Sequence, residues 1–197
     1  WLNAGMDDEL NRERARGSRI LNELSPDSST WVAEPDLTSS AAADLWQSGV
    51  RHLVLRPGSF ASVPASEDEP TPARPVRIAS PIDSPLDAVA IDSGLQAAFG
   101  RQSDPELTVT QVLAELSVIQ GEAPTAARGV LLAAPPAWPV STTFLEALLR
   151  GLDDHPLIAA STLEDLFREV APARSAAGAP LVRRLTPALP PDLGTYP

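Results

Sequence analysis

The sequence of 197 residues contains no cysteine and no lysine, and it has only two histidines. Without cysteine there is no thiol nucleophile, no disulfide and no thiolate metal site. Without lysine there is no P-loop lysine, no Schiff-base amine and no Ser-Lys pair. His52 and His155 lie far apart in the chain and lack the spacing of a metal-ligating pair. The sequence therefore predicts no metal site and no cofactor.

Positive charge is also scarce, because 15 basic residues, all of them arginine, stand against 26 acidic ones and give a net charge of -11. An acidic surface without a basic cluster argues against binding to nucleic acid or to an anionic membrane surface. No apolar run approaches the roughly 18 residues of a membrane helix. Since the chain opens on "WLNAGMDDEL" without an initiator methionine, we expect it to be a piece of a longer protein.

What the sequence does contain is a pattern of short apolar runs that alternate with amphipathic helical stretches. Apolar residues make up 43% of the chain, enough for a sizeable core. "TWVAEPDL", "TSSAAADLWQSG" and "VRHLVLRPG" read as strand, helix and strand, a βαβ unit whose strands must be parallel. Further strands are predicted at "VRIAS", "DAVAID", residues 129–134 and "HPLIAAS", and further helices at residues 7–24, 104–124, 143–152 and 161–170.

This alternation predicts the α/β class with a parallel sheet, and the nearly all-apolar strands fit a sheet covered on both faces. We assign residues 1–171 to this domain. Residues 57–75, which hold five prolines and the acidic triplet "EDE", are expected to form an exposed, extended loop within it. Residues 172–197 are rich in proline and alanine and are expected to form a tail or linker.

Two blocks of the sequence carry a family resemblance. The stretch from "DAVAIDSGLQAAF" through "RGVLLAAPPAW" to "TLEDL" resembles a family of large exported, membrane-anchored cell-envelope proteins of unknown function from high-GC Gram-positive bacteria. The block "WVAEPDLTSSAAADLWQSGVRHLVL" is similar to the second half of a glycoside hydrolase/deacetylase-like (β/α) barrel. The resemblance implies an extracytoplasmic, partial barrel with the later strands of a TIM-like fold. The His-x-x-x-His metal motif of polysaccharide deacetylases does not occur here, so no metal ligands are carried over.

In parallel α/β folds, sites collect at the carboxyl ends of the strands. Glu34 and Asp36 follow the first predicted strand, Arg56 the second and Asp92 a later one, while Trp138 lies on the loop after the strand at 129–134. A sugar-binding site commonly contains acids, an arginine and an indole. The indole ring stacks on a pyranose, and carboxylates from different strands bind hydroxyls or act as acid and nucleophile.

Each of these residues also has a plainer interpretation. Asp36 and Asp92 fit turns or helix caps, Arg56 fits a surface ion pair, and Trp138 fits packing at the rim of the barrel. His52 fits a strand-face residue and His155 a turn residue.

Three functions remain open at this point. The leading interpretation is a non-catalytic domain that binds a cell-wall glycan or an envelope protein. The alternative is a carbohydrate-active hydrolase with Asp92 and either Glu34 or Asp36 as the acid pair, and Trp138 and Arg56 as substrate-binding residues. The third is an interaction scaffold. An open parallel sheet leaves edge strands unpaired, so we also expect another chain or a preceding segment to complete it.

Overall fold

The computed structural model describes most of the chain, namely residues 5–20, 29–33, 37–60, 73–80, 85–100, 104–135, 138–139, 141–153, 155–175 and 177–186. The chain divides into two compact units. The first unit comprises Trp1–Val63, Val76–Ala90 and Arg174–Pro197, and the second comprises Pro64–Pro75 and Ile91–Ala173.

Helices and strands alternate over residues 7–55, as the sequence pattern predicts, whereas beyond residue 55 two strands follow in succession, then four helices and a last strand. The helices are α1 (Asp7–Ile20), α2 (Ser39–Gln47), α3 (Ser93–Ala98), α4 (Pro105–Glu122), α5 (Thr142–Asp153) and α6 (Leu163–Glu169). The strands are β1 (Thr30–Val32), β2 (His52–Leu55), β3 (Val76–Ile78), β4 (Asp87–Ala90) and β5 (Val182–Arg183). Among the described residues, no helix combines the length and the apolar character that crossing a bilayer requires.

The sheet belongs to the first unit and has the strand order β1-β2-β4-β3-β5. β1 pairs with β2 in parallel, and β2 pairs with β4 in parallel. Helix α2 connects β1 to β2, so the predicted βαβ unit is confirmed. The α/β class with a mostly parallel sheet is likewise confirmed.

β3 departs from the expected direction, because it runs antiparallel to β4. The reason lies in the connection between them, which is only eight residues long, residues 79–86. A parallel connection needs a crossover of about a dozen residues or more, whereas a shorter link can join antiparallel neighbours. β5 pairs in parallel with β3, so residues 182–183 of the segment expected to be a tail contribute to the sheet.

Helix α2 illustrates how the sequence sets local structure in the first unit. The Thr38 hydroxyl caps its first turn by accepting a hydrogen bond from the Ala41 amide. Leu45 is fully buried, and Gly49 follows the helix with a φ of 99°. The core of this unit consists of aliphatic side chains from the helix, the strands and their connections: Ala33, Ala42, Leu45, Val50, Leu53, Leu55, Ile78, Leu86, Ala88 and Leu185.

Substituting Gly49 by alanine is expected to lower the free energy of unfolding by about 1–2 kcal/mol, because a Cβ disfavours the left-handed backbone that glycine adopts there. No atom lies within 4 Å of the added Cβ, so the cost is purely one of backbone conformation. Gly17→Ala is the matched control, since Gly17 lies inside α1 and its Cβ position is equally open. There alanine is expected to stabilise by roughly 0.5–1 kcal/mol. Urea unfolding of both variants tests the prediction, and equal shifts of one sign would contradict it.

The second unit contains α3 to α6, and its helix starts follow capping rules. α4 begins as predicted, with Asp104 as N-cap and Pro105 in the first turn. α5 begins one residue before the predicted Thr143, with the Ser141 hydroxyl accepting from the Phe144 amide at 3.3 Å. α6 uses Thr162 as its cap rather than the predicted Ser161.

Two predicted strands of the second unit did not form as expected. Within residues 129–134 only Leu131 makes a bridge, in parallel with Ile91, and the described residues of "HPLIAAS" belong to no strand. Both runs have the apolar composition of strands, but composition alone does not supply a pairing partner.

Candidate functional site

The structure locates the predicted site residues in different parts of the chain. Glu34 and Asp36 lie outside the described residues. Arg56 directly follows β2 in the first unit, whereas Asp92 and Trp138 belong to the second unit. Because β1, β2 and β4 are parallel, their carboxyl ends lie at one edge of the sheet. That these five residues share one rim stays a prediction.

Arg56 opens the connection that follows β2, and its side chain is half-buried. Residues 58–60, which follow it, pair with residues 185–186 after β5. The Thr186 hydroxyl donates to the Gly58 carbonyl at 2.9 Å, and the Thr186 amide donates to the Ser59 carbonyl at 2.8 Å. Phe60 and Leu185 form an antiparallel bridge. Residues 57–60 of the predicted exposed loop are therefore held in place by backbone pairing, while residues 61–72 lie outside the described part.

The Asp92 carboxylate caps helix α3. Its Oδ1 atom accepts a hydrogen bond from the Leu95 amide at 2.9 Å, the geometry of an N-cap. The Asp92 amide donates to the Leu131 carbonyl at 3.1 Å, and the Gln96 side chain donates to the Ala133 carbonyl at 3.2 Å. The start of α3 is thus hydrogen-bonded to residues 131–133. The Asp92 carboxylate stabilises the first turn of this helix.

Replacing Asp92 by alanine is expected to lower the free energy of unfolding by about 1 kcal/mol, because the Leu95 amide loses its acceptor. Asp92→Asn is the matched variant, since asparagine caps helices about as well as aspartate. Chemical denaturation measures both changes. A loss in D92N as large as in D92A would show that the negative charge, and not the cap, is what matters.

Trp138 packs in a cluster of three aromatic rings. Its ring centroid lies 4.9 Å from that of Phe99 and 6.2 Å from that of Phe144, both in edge-to-face arrangements. Phe99 and Phe144 contact each other at 5.4 Å. The indole Nε1 atom is buried and has no hydrogen-bond partner among the described residues. The cluster continues into the aliphatic core of this unit, so at least part of the Trp138 ring serves packing.

Asp92 and Trp138 contact opposite ends of α3. Asp92 precedes the helix, and Phe99, the ring nearest Trp138, follows it. The six residues of α3 lie between Asp92 and Phe99, which are about 10 Å apart along the helix axis at a rise of 1.5 Å per residue.

Neither histidine belongs to a metal-ligand cluster: in the described ranges no three His, Asp or Glu side chains are grouped in a way that could hold an ion. His52 is the first residue of β2, as expected of a strand residue. His155 follows α5, where its Nδ1 atom accepts from the Leu157 amide at 3.2 Å and its Nε2 atom lies 3.4 Å from the Ser117 hydroxyl.

One charged pair of the sheet was not foreseen from the sequence. The Arg77 guanidinium donates to both carboxylate oxygens of Asp87, from Nε at 3.1 Å and from Nη2 at 3.4 Å. Arg77 and Asp87 are cross-strand partners in the β3–β4 register, and His52 is the β2 partner of Asp87. This pair can be predicted only from the β3–β4 register, and that register follows only when β3 is known to run antiparallel to β4.

Comparison with known proteins bears on the fold. The fold is a partial (β/α) barrel. The structure is similar to that of 4-alpha-glucanotransferase from Thermococcus litoralis, with a TM-score of 0.64 and 15% sequence identity. The match covers 87% of this chain and 26% of that chain, so the chain spans about a quarter of the length of the similar protein. No family model and no curated protein matches the sequence.

This likeness confirms the predicted fold class, a partial, barrel-like α/β fold. At 15% identity it shows the fold alone. The predicted membership in a family of exported, membrane-anchored envelope proteins stays a prediction.

Proposed function

We propose that this chain is an extracytoplasmic, barrel-like domain of the cell envelope that binds a glycan without cleaving it. The observation that carries the proposal is the fold likeness to a 4-alpha-glucanotransferase over 87% of the chain. That protein is named for acting on an α-linked glucan, which makes an α-glucan the first ligand to test and a cell-wall glycan the second. Sites on folds of this type lie at the carboxyl ends of the parallel strands, here β1, β2 and β4.

Binding without cleavage is favoured by the role of Asp92. Glycoside cleavage generally uses two carboxyl groups that flank the scissile bond. Of the three candidate acids, Asp92 is the one that the structure describes, and its Oδ1 atom is engaged with the Leu95 amide. The Arg56 side chain, directly after β2, already interacts within the chain, and its guanidinium, with five N–H donors, can in addition donate to sugar hydroxyls.

Titration calorimetry of the whole chain with maltoheptaose, and separately with purified cell-wall polysaccharide, tests the proposal. We expect saturable binding to one of them and no release of reducing ends. Arg56→Gln is expected to weaken binding about tenfold or more, the scale of a hydrogen bond from a charged donor. Arg16→Gln, an exposed site on α1, makes the same charge change and is expected to leave the affinity unchanged. Absence of binding to both glycans, or equal losses in the two variants, would contradict the proposal.

A carbohydrate-active hydrolase is the second candidate, favoured by the fact that the similar structure is named as an enzyme. It predicts slow release of reducing ends from one of the same glycans. Asp92→Asn is the informative variant, because asparagine preserves the cap of α3 but cannot act as an acid or nucleophile. Activity that disappears in D92N while the unfolding curve is unchanged would favour the hydrolase. Glu34→Gln and Asp36→Asn then identify the second acid.

A further inference from the structure

Residues 158–161 have the features of a β-strand that lacks its partner. "LIAAS" has the apolar composition that favours a strand, and residues 158–162 run without helix, turn or bend. The amides and carbonyls of residues 158–161 make no hydrogen bond to any described part of the chain. Just before them, the Leu157 amide is held by the Nδ1 atom of His155. Unpaired backbone groups in a non-helical segment can act as a template for strand addition.

An open groove of about 690 Å³ adjoins this segment. Its apolar wall is formed by Leu149 and Leu152 of α5 together with Ile158 and the two alanines that follow. Leu149 is 61% exposed, and Leu157, next to the groove, is 66% exposed. Aliphatic side chains projecting from an added strand would cover these leucines, whose exposure in the free chain is unfavourable.

The charged groups of the groove define the kind of peptide that fits. Asp153 and Arg150 both line it, and neither makes an ion pair or a side-chain hydrogen bond with the described residues. A basic side chain on the peptide could pair with Asp153, while Arg150 could donate to a peptide carbonyl. The net charge of -11 attracts a cationic partner and opposes a second copy of this chain.

We propose that residues 158–161 and the adjoining groove bind an extended peptide in which aliphatic and basic side chains alternate. The peptide pairs with residues 158–161 as an added β-strand and lays its aliphatic face on Leu149, Leu152 and Ile158. Strand addition gives affinity through main-chain hydrogen bonds and specificity through alternate side chains. The site lies within the second unit and is independent of the glycan-binding proposal.

Fluorescence anisotropy with the full chain and a labelled peptide of alternating valine and lysine tests the proposal. Saturable binding is expected, and the matched peptide of valine and glutamate is expected to bind about tenfold more weakly or not at all. Asp153→Asn is expected to weaken binding of the lysine peptide by about two- to fivefold, the scale of an exposed ion pair. Equal affinity for the two peptides, or no binding up to about 1 mM, would overturn the proposal.

Proline substitutions test the strand pairing itself. Neighbouring amides of a strand point to opposite edges, so at least one of Ala159→Pro and Ala160→Pro should abolish binding, whereas Ala159→Ser and Ala160→Ser should retain it. If the proline variants fail to fold, two lysine peptides replace them, N-methylated at one or the other set of alternate amides, and at least one of the two should not bind. Binding that survives both prolines, or both patterns of N-methylation, overturns the proposal. So does self-association of the chain that A159P removes, because a second copy would then be the occupant.

Discussion

Replacing Phe144 by alanine is expected to lower the free energy of unfolding of the second unit by about 3–5 kcal/mol, the largest effect predicted for this protein. Phe144 lies in the first turn of α5 and is 0% exposed. Its ring contacts those of Phe99 and Trp138, and aliphatic side chains of α4 and α5 surround the three. Truncation therefore removes both the apolar burial of the ring and two edge-to-face contacts, and it leaves a cavity that the surrounding helices can fill only partly.

Leu149→Ala is the matched control for this prediction, because Leu149 lies on the same helix but is 61% exposed. Its removal is expected to change the stability by no more than about 0.5 kcal/mol, as for most surface positions. Urea unfolding followed by circular dichroism compares the two variants. A cost for F144A as small as that for L149A would mean that the aromatic cluster does not hold α5 in place.

The sequence pattern predicts local structure well where the determining interaction is itself local. Asp104 and Pro105 mark the start of α4, because a cap and a proline in the first turn act within a few residues. The spacing of strand, helix and strand around α2 likewise fixes the parallel pairing of β1 and β2. Ser161 and Thr162 are adjacent and either hydroxyl could cap a helix. The predicted start of α6 is therefore one residue earlier than the observed cap, Thr162.

Pairing between distant segments was predicted less well. Residues 129–134 and 158–161 have the composition of strands, yet a strand also needs a neighbour whose backbone groups face it. Only Leu131 finds such a neighbour, in Ile91. The direction of β3 could not be taken from its own sequence either, since it depends on the short connection to β4 and on the register of Arg77 with Asp87.

The candidate site shows the same division. Sequence position placed Asp92 at the end of a strand, with a turn or a helix cap as the plainer interpretation, and it did not predict α3, which Asp92 caps. Sequence position could not decide whether the Asp92 carboxylate caps a helix or acts as a catalytic acid. The direction in which a side chain points depends on its neighbours, here the Leu95 amide and the ring of Phe99. The roles of Asp92 and Trp138 toward a glycan stay predictions.

Replacing Trp138 by alanine is expected to destabilise the second unit by about 2–4 kcal/mol, somewhat less than a fully buried ring because part of the indole remains exposed. The loss comes from its contacts with Phe99 and Phe144. Trp138→Phe keeps an aromatic ring at this position and also removes the Nε1–H group, which is buried and finds no acceptor in the described part of the chain. An unsatisfied buried donor costs about 1–3 kcal/mol, so its removal offsets much of the lost contact area, and W138F is expected to cost less than about 1 kcal/mol.

The two variants together separate packing from ligand binding at Trp138. If the indole serves packing alone, W138F should retain the stability and also the glycan affinity, while W138A should lose stability. If the indole face also stacks on a sugar, W138F should weaken glycan binding without a matching loss of stability, because a smaller ring covers less of a pyranose. Unfolding curves and calorimetric titrations of the same protein samples provide both quantities. A stability of W138A equal to that of the unsubstituted chain would contradict the packing role, since three edge-to-face rings cannot lose one member without cost.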